Sequence, residues 1–232
     1  MRWKNRILYL LLLVVSCLFF IYETEEAGEG AIVPGIHPRV FLDSNRLQFI
    51  RNKVAQNDPT WIRFETYLNI NGPYSPTGYN LFLGALAYQA LKGIDDIKAN
   101  WYADTVINEG VPDGEDVNRY YLYNMGLAYD WVYDRLTPQQ KTLVINWIDA
   151  VYENNPAGHE KDTKTYALHY WHNYTIDFMF CNAVAGYAIY DENQALALDM
   201  IDNGAHRWSV DLVSQIAFIA SNGAYPEGDG YG

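Results

Sequence analysis

Side chains that can bind polar ligands or move protons alternate near the end of the sequence: Tyr225, Glu227, Asp229 and Tyr231. Glycines and a proline stand between them and restrict the backbone, which predicts a shaped loop after the preceding helical pattern. A tyrosine hydroxyl within reach of a substrate can take up or return a proton. Glu227 could orient such a group, or it could only accept hydrogen bonds from the amides of its own loop.

A second cluster of polar and aromatic residues lies earlier in the chain, at Trp171, His172, Asn173 and Tyr174. The amide of Asn173 can donate hydrogen bonds to a negatively charged group. His172 and His169 have the spacing of two metal ligands on a helix, but no carboxylate joins them at a recognisable spacing. Hydrogen-bonded histidines among aromatic rings are the better interpretation, and we predict neither a metal ion nor a cofactor.

Asp130 and Asp134 are one helical turn apart and allow two interpretations. Two carboxylates facing one another could act as the acid and the base of a glycoside hydrolase. The spacing favours ordinary roles, in which each carboxylate caps a helix or sits on a solvated face near Arg135.

The composition limits the classes of function. Hydrophobic residues make up 50% and aromatic residues 16% of the 232 residues, which suits the core of one helical domain or slightly more. The net charge of −12 and the lack of clustered Lys and Arg predict no nucleic-acid partner. The same charge repels an acidic polymer at long range, which makes a highly sulfated glycan a weaker candidate than a less charged one.

The N-terminal residues 1–22 predict export. Basic residues precede an apolar run at 7–22, and acidic residues follow it. As a helix the run would span about 24 Å, short of the roughly 30 Å hydrocarbon core. It fits a cleaved signal peptide or a short signal-anchor, and we favour the membrane anchor. The body, residues 36–232 after a linker at 23–35, would then face the outside, or be periplasmic or secreted after cleavage.

The body is predicted to be all-α. Thr137, Pro138 and Gln140 give the clearest start signal, a capping box with proline at the first helical position. No sustained alternation predicts a strand, and short turns predict antiparallel helix pairs, as in a bundle, a solenoid or an α/α toroid. Helical periodicity predicts one helix that includes Leu47, Ile50 and Val54, and a second that opens at Pro59 and includes Trp61 and Leu68. It predicts further helices near 80–91, 95–108, 120–133, 138–154, 175–190 and 193–220.

Six short segments together resemble the heparinase II/III-like polysaccharide lyases. No single segment is specific, and their order and spacing across residues 37–231 carry the resemblance. The segments are HPRVFL at 37–42, GLAYDWVYDRLTP at 126–138, WHNY at 171–174, CNA at 181–183, DEN at 191–193 and YPEGDGY at 225–231.

This resemblance implies an α/α toroid, here incomplete, that the family joins to C-terminal β-sandwich domains missing from this sequence. It also implies β-elimination of uronate-containing polysaccharides. In such lyases an Asn or His neutralises the uronate carboxylate and a Tyr removes the C5 proton. Asn173 matches that Asn, with His172 beside it, and Tyr231 matches the Tyr. The residues expected to bind substrate are Tyr225, Glu227, Trp171 and Tyr174, the last at a position where the family often has His or Trp.

Two other functions stay open. An inverting glycoside hydrolase on an α/α toroid would use Glu227 as its general acid. A membrane-tethered glycan-binding protein without catalysis would fit a sequence that ends in the loop at Gly232 and lacks the β-sandwich and its histidine. For the same reason the resemblance implies an incomplete site in these 232 residues.

Overall fold

A computed structural model of the chain describes residues 34–72, 81–109, 119–153, 173–206 and 208. Every regular element in these ranges is helical, which confirms the all-α prediction for them. The described helices all lie in a compact unit formed by Gly35–Gly232. Their bounds are α1 Ser44–Ala55, α2 Pro59–Asn71, α3 Leu81–Leu91, α4 Asp96–Glu109, α5 Arg119–Trp131, α6 Pro138–Glu153, α7 Asn173–Ala188 and α8 Gln194–His206.

Local capping groups start the first two helices. The Asp43 side chain accepts a hydrogen bond from the amide of Arg46 at the start of α1. The Asp58 side chain does the same for Thr60 at the start of α2, where Pro59 occupies the first turn. The hydrogen bond from Lys53, followed by those from Thr60, lowers the pKa of Asp58 to about 2. These carboxylates satisfy amides that have no partner inside the helix.

Short turns join the next helices. Gly93, in the turn from α3 to α4, has a φ of 80°, a left-handed conformation that glycine adopts without strain. A single 3₁₀ turn, Tyr133–Arg135, links α5 to α6. The predicted capping box is present at α6, because Gln140 accepts from the Thr137 amide at 2.9 Å and the Gln140 amide donates to the Thr137 hydroxyl at 3.3 Å.

The helices contact one another in a repeating order. α3 packs against α5 and α5 packs against α7, while α4, α6 and α8 pack against α3, α5 and α7 respectively. α1 extends the first series by contacting α3, and α2 contacts both α1 and α3. α5 therefore lies at the centre of the array, and all of its residues from Leu122 to Trp131 are buried except the half-buried Tyr123.

Contacts along α3, α5 and α7 show that these three helices run in the same direction. Phe82 near the start of α3 meets Tyr123 of α5, with ring centroids 5.7 Å apart, and Gln89 near its end donates to the Trp131 carbonyl at 2.5 Å. Tyr123 in turn meets Phe180 of α7 at 5.2 Å. The rings therefore form a row across the three helices, which runs from the first turn of α3 to the middle of α7.

α7 and α8 run in opposite directions and approach closely through glycines. A Cβ added at Gly186 of α7 would lie 2.8 Å from the Ala197 carbonyl, and one added at Gly204 of α8 would lie 2.3 Å from the Met179 carbonyl. Gly204 meets the early part of α7 and Gly186 meets the early part of α8, which fixes the antiparallel sense. Helix α8 accounts for part of the predicted helix 193–220, whose remainder lies almost wholly outside the described ranges.

None of the described helices combines the length and apolar character that a membrane crossing requires. The predicted anchor at residues 7–22 lies outside the described ranges and stays a prediction.

Candidate functional site

The predicted catalytic residues fall mainly outside the described ranges. Asn173 and Tyr174 are the first two residues of α7, so the structure fixes the place of their backbone at the beginning of this helix. Nothing is described of their side chains. Trp171, His172 and the loop residues Tyr225, Glu227 and Tyr231 lie outside the ranges, and the predicted catalytic constellation stays a prediction.

Instead, the structure brings together a polar network around Asp130. The Asp130 side chain is fully buried in α5 and accepts hydrogen bonds from the His37 Nδ1 at 2.6 Å and from the Arg39 and Val40 amides, each at 2.9 Å. An ionised carboxylate that loses water needs such donors, because burial without them costs several kcal/mol. The prediction of a capping or solvated-face role for Asp130 is therefore wrong.

Asp134 has separate partners. Its carboxylate accepts from the Tyr88 hydroxyl at 2.7 Å and from the Lys92 ammonium at 2.5 Å. Burial by itself would raise the pKa of Asp134, but the bonds from Lys92 and Tyr88 outweigh it and lower the pKa. Since Asp130 and Asp134 bind different groups, the structure gives no support to a pair of facing carboxylates.

The contacts of His37 define its hydrogen-bonding state. Its Nε2 lies 2.6 Å from the Arg39 Nη2. A guanidinium only donates, so Nε2 accepts and the remaining proton sits on Nδ1, from which it is donated to Asp130. Both ring nitrogens are thus engaged in a side chain that is only 4% exposed. This geometry indicates a structural role for His37, because neither of its ring nitrogens is left to take a proton from a substrate.

Arg39 extends the network to the turn between α7 and α8. Its Nη2 donates to the Asp191 carboxylate, which also accepts from the Gly35 amide at 2.6 Å. Burial alone would raise the pKa of Asp191, but the bonds from Arg39 and Gly35 dominate and lower it. Residues 35–42, here called the strap, therefore tie the end of α5 to the turn that follows α7.

Aromatic rings complete the network on its outer side. The His37 imidazole stacks on the Tyr133 ring with centroids 3.6 Å apart and planes 8° apart, and the Lys141 ammonium lies 3.3 Å from the centroid of Tyr133. Burial, then the nearby Glu192 carboxylate, raises the pKa of Tyr133 to about 12. Burial and the Glu192 charge also raise the pKa of Tyr129. These hydroxyls therefore stay protonated and cannot serve as bases near neutral pH.

An apolar cavity of about 40 Å³ lies elsewhere, between α3, α4, α5 and α6. Its wall includes Leu81, Val106, Met125 and Leu143, with Gln140 among the few polar contributors. Such a lining offers no partner to a charged ligand. Within the ranges that the structure describes, no three His, Cys, Asp or Glu side chains gather closely enough to hold a metal ion.

Sequence reasoning missed the Asp130 network, although it singled out most of the segments involved. The strap comes from 37–42, Asp130 and Tyr133 from 126–138, and Asp191 from 191–193. One signal was available: Asp130 interrupts a run of apolar residues in the α5 sequence. A buried acid in such a run requires hydrogen-bond donors from elsewhere in the fold.

No protein-family model matches the chain, and no curated protein is significantly similar to it.

Proposed function

We propose that this chain is the toroid portion of a polysaccharide lyase that cleaves uronate-containing glycans by β-elimination. The observation that carries the proposal is the convergence of three segments on which the resemblance rests. In sequence, Arg39 of the strap lies 91 residues before Asp130, and Gly35 lies 156 residues before Asp191, yet the three segments join in one hydrogen-bonded network. Segments that resembled the family only by chance would not be expected to contact one another in the fold.

The order of the helices supports the toroid part of the proposal. An α/α toroid repeats antiparallel pairs in which the first helix of each pair packs against the first helix of the next. α3–α4, α5–α6 and α7–α8 follow this order. A curved and incomplete ring is the arrangement we propose for them.

The position of α7 is compatible with the proposed chemistry. Its first residue is Asn173, the candidate for neutralising the uronate carboxylate. Backbone amides at the beginning of a helix have no intrahelical partner and favour a negative charge. The C5–H of a uronate is a very weak acid until the adjacent carboxylate charge is offset, so donors at this place would stabilise the enolate-like intermediate. Tyr231 would remove the C5 proton and His172 would assist Asn173.

Half-buried aromatic rings supply a second supporting feature. Phe82, Tyr123 and Phe180 form a row across α3, α5 and α7. Aromatic faces pack on the apolar faces of sugar rings. Trp171, Tyr174, Tyr225 and Glu227 would contact the same substrate.

The proposal includes export of the body, with residues 7–22 serving either as a membrane anchor or as a cleaved signal. The substrate would be an acidic polysaccharide outside the cytoplasm, of low charge density because the chain itself carries a net charge of −12.

An assay on alginate, hyaluronan, chondroitin and heparan substrates tests the proposal, using the protein in its complete natural length. Elimination creates an unsaturated uronate, and its ultraviolet absorbance should grow with time. Reducing ends without this absorbance would indicate the alternative, a glycoside hydrolase that uses Glu227 as general acid. Binding to the same polymers without either signal would indicate a glycan-binding protein.

A further inference from the structure

Phe41 of the strap has a backbone conformation that its side chain disfavours. Its φ of 60° lies in the left-handed region, where a Cβ atom crowds the following carbonyl oxygen. Glycine adopts this conformation without strain, whereas a bulky residue there is an outlier. Residues strained in this way persist only where the surrounding structure holds them, and they are concentrated at sites that bind ligands.

The chain is held in place on both sides of Phe41. The Val40 amide donates to the Asp130 carboxylate, and the Val40 carbonyl accepts from the Trp131 Nε1, each at 2.9 Å. Leu42, two residues before α1, is buried in the core. Phe41 therefore joins two fixed points, and the Asp130 network supplies the first of them.

The ring of Phe41 continues the aromatic row that crosses α3, α5 and α7. Its centroid lies 6.2 Å from that of Phe180, with the two ring planes 18° apart. Phe41 thus adds a fourth ring to Phe82, Tyr123 and Phe180, and all four rings pack against the core while remaining partly exposed. Burial raises the pKa of Tyr123, so its hydroxyl stays protonated and the row offers ring surface rather than a base.

Core packing alone does not account for the conformation of Phe41. Val40 and Leu42 already anchor this part of the strap in the core. An apolar side chain that only filled space could be supplied from an ordinary backbone conformation. The left-handed conformation adds one thing to the structure, which is an aromatic ring placed beside Phe180.

We propose that Phe41 is a substrate-binding residue, which the Asp130 network holds at the end of the aromatic row so that its ring packs on the apolar face of a sugar ring. The identity of the ligand, a uronate-containing glycan, rests on the proposed function. Stacking of this kind is made equally with the substrate and with the transition state, so Phe41 contributes to affinity and not to the chemical step.

Substitutions that keep or remove the aromatic face test this role in the protein of complete natural length. Phe41→Leu keeps an apolar side chain and should raise KM by about 3- to 10-fold, with kcat changed less than about twofold. The substrate is whichever of alginate, hyaluronan, chondroitin and heparan the unmodified protein cleaves fastest. Phe41→Tyr keeps the ring and should stay within about twofold of the unmodified protein. Phe49→Leu is the matched control and should leave KM unchanged, because Phe49 is an exposed phenylalanine of α1 outside the row.

Urea unfolding tests the strained conformation separately. Phe41→Ala and Phe41→Gly both remove the ring, but only glycine relieves the strain, so the glycine variant should unfold at the higher urea concentration. At a position with an ordinary conformation the order is reversed, because glycine has the greater freedom in the unfolded chain. A more stable alanine variant would therefore overturn the held conformation of Phe41.

The outcomes separate this inference from the proposed function. Elimination with the same KM in Phe41→Leu as in the unmodified protein overturns the role of Phe41 and leaves the proposed function intact. If the protein binds one of the polymers without eliminating, the proposed function fails, and the Kd of that polymer in the same variants decides the role of Phe41. If it binds none of the four polymers, both fail.

Discussion

Asp130 illustrates how one buried carboxylate can hold a chain segment against a helix. Both of its oxygens accept hydrogen bonds, one from the His37 imidazole and the Arg39 amide and the other from the Arg39 and Val40 amides. An apolar residue would pack equally well inside α5 but would leave two strap amides without partners. The acid is therefore explained by the strap. The α5 sequence indicates that a buried acid needs hydrogen-bond donors, but it does not identify the segment that supplies them.

Asp130→Asn should lower the free energy of unfolding by about 2–4 kcal/mol. An amide offers one oxygen and places an NH₂ group against a backbone N–H that needs an acceptor. Urea unfolding of the variant measures the loss. Asp134→Asn is the matched control and should cost less than about 1 kcal/mol, because the Asp134 side chain is 45% exposed. Equal losses for the two variants would contradict the role of Asp130.

Asp191 predicts a specific dependence of stability on pH. Its pKa is lowered in the folded protein, so the ionised carboxylate stabilises the fold at pH values above its ordinary pKa of about 4. This contribution is lost as the pH falls through the lowered pKa. Asp191→Asn should therefore cost about 1 kcal/mol near neutral pH and progressively less as the pH falls below about 4. Urea titrations at several pH values check this, and a difference that is the same at every pH would indicate a packing effect instead.

The sequence predicts the individual helices more accurately than it predicts the contacts between them. Start signals such as Asp43 and the Thr137 capping box act within one turn, so the sequence contains the information needed to place them. For α3 to α7 the predicted and observed bounds differ by at most two residues, as for α7, predicted at 175–190 and found at Asn173–Ala188. Contacts between helices depend on partners far along the chain, and periodicity alone does not identify them.

Gly126 of α5 lies at such a contact, against Ala185 of α7, and its substitution gives a prediction about the packing of these two helices. Gly126→Ala should reduce the free energy of unfolding by about 1–3 kcal/mol, because the new methyl group would press on the Ala185 backbone. Helix propensity alone predicts the opposite, a gain of about 1 kcal/mol. Thermal or urea unfolding decides between the two, and a stabilised variant would show that α5 and α7 are less tightly packed at this point than we describe.

At the scale of the whole molecule, the network and Asn173 lie at opposite ends of α7. Asn173 begins the helix, and Asp191 follows its last residue, Ala188. Among the segments that carry the resemblance, the strap, the Asp130 segment and the Asp191 turn meet at the end of α7, and Asn173 lies at its start. The segment at 225–231 lies outside the described ranges. The order of the segments in the sequence could not show that they lie at different ends of α7, because it does not tell in which direction α7 runs relative to the other helices.

Variants of the proposed catalytic residues should differ from variants of the Asp130 network in their effects on activity and on stability. Tyr231→Phe removes only the phenolic oxygen that would carry the proton and keeps the ring, so it should abolish elimination with substrate binding nearly intact. Asn173→Ala should lower turnover by about 100- to 1,000-fold if its amide stabilises the developing charge. Neither variant should change the free energy of unfolding as much as Asp130→Asn. Product absorbance, binding and urea unfolding, measured on the same preparations, give the comparison. Full activity in Tyr231→Phe would move the base to Tyr225 or to another residue, and a large loss of stability in Asn173→Ala would assign that residue to the fold.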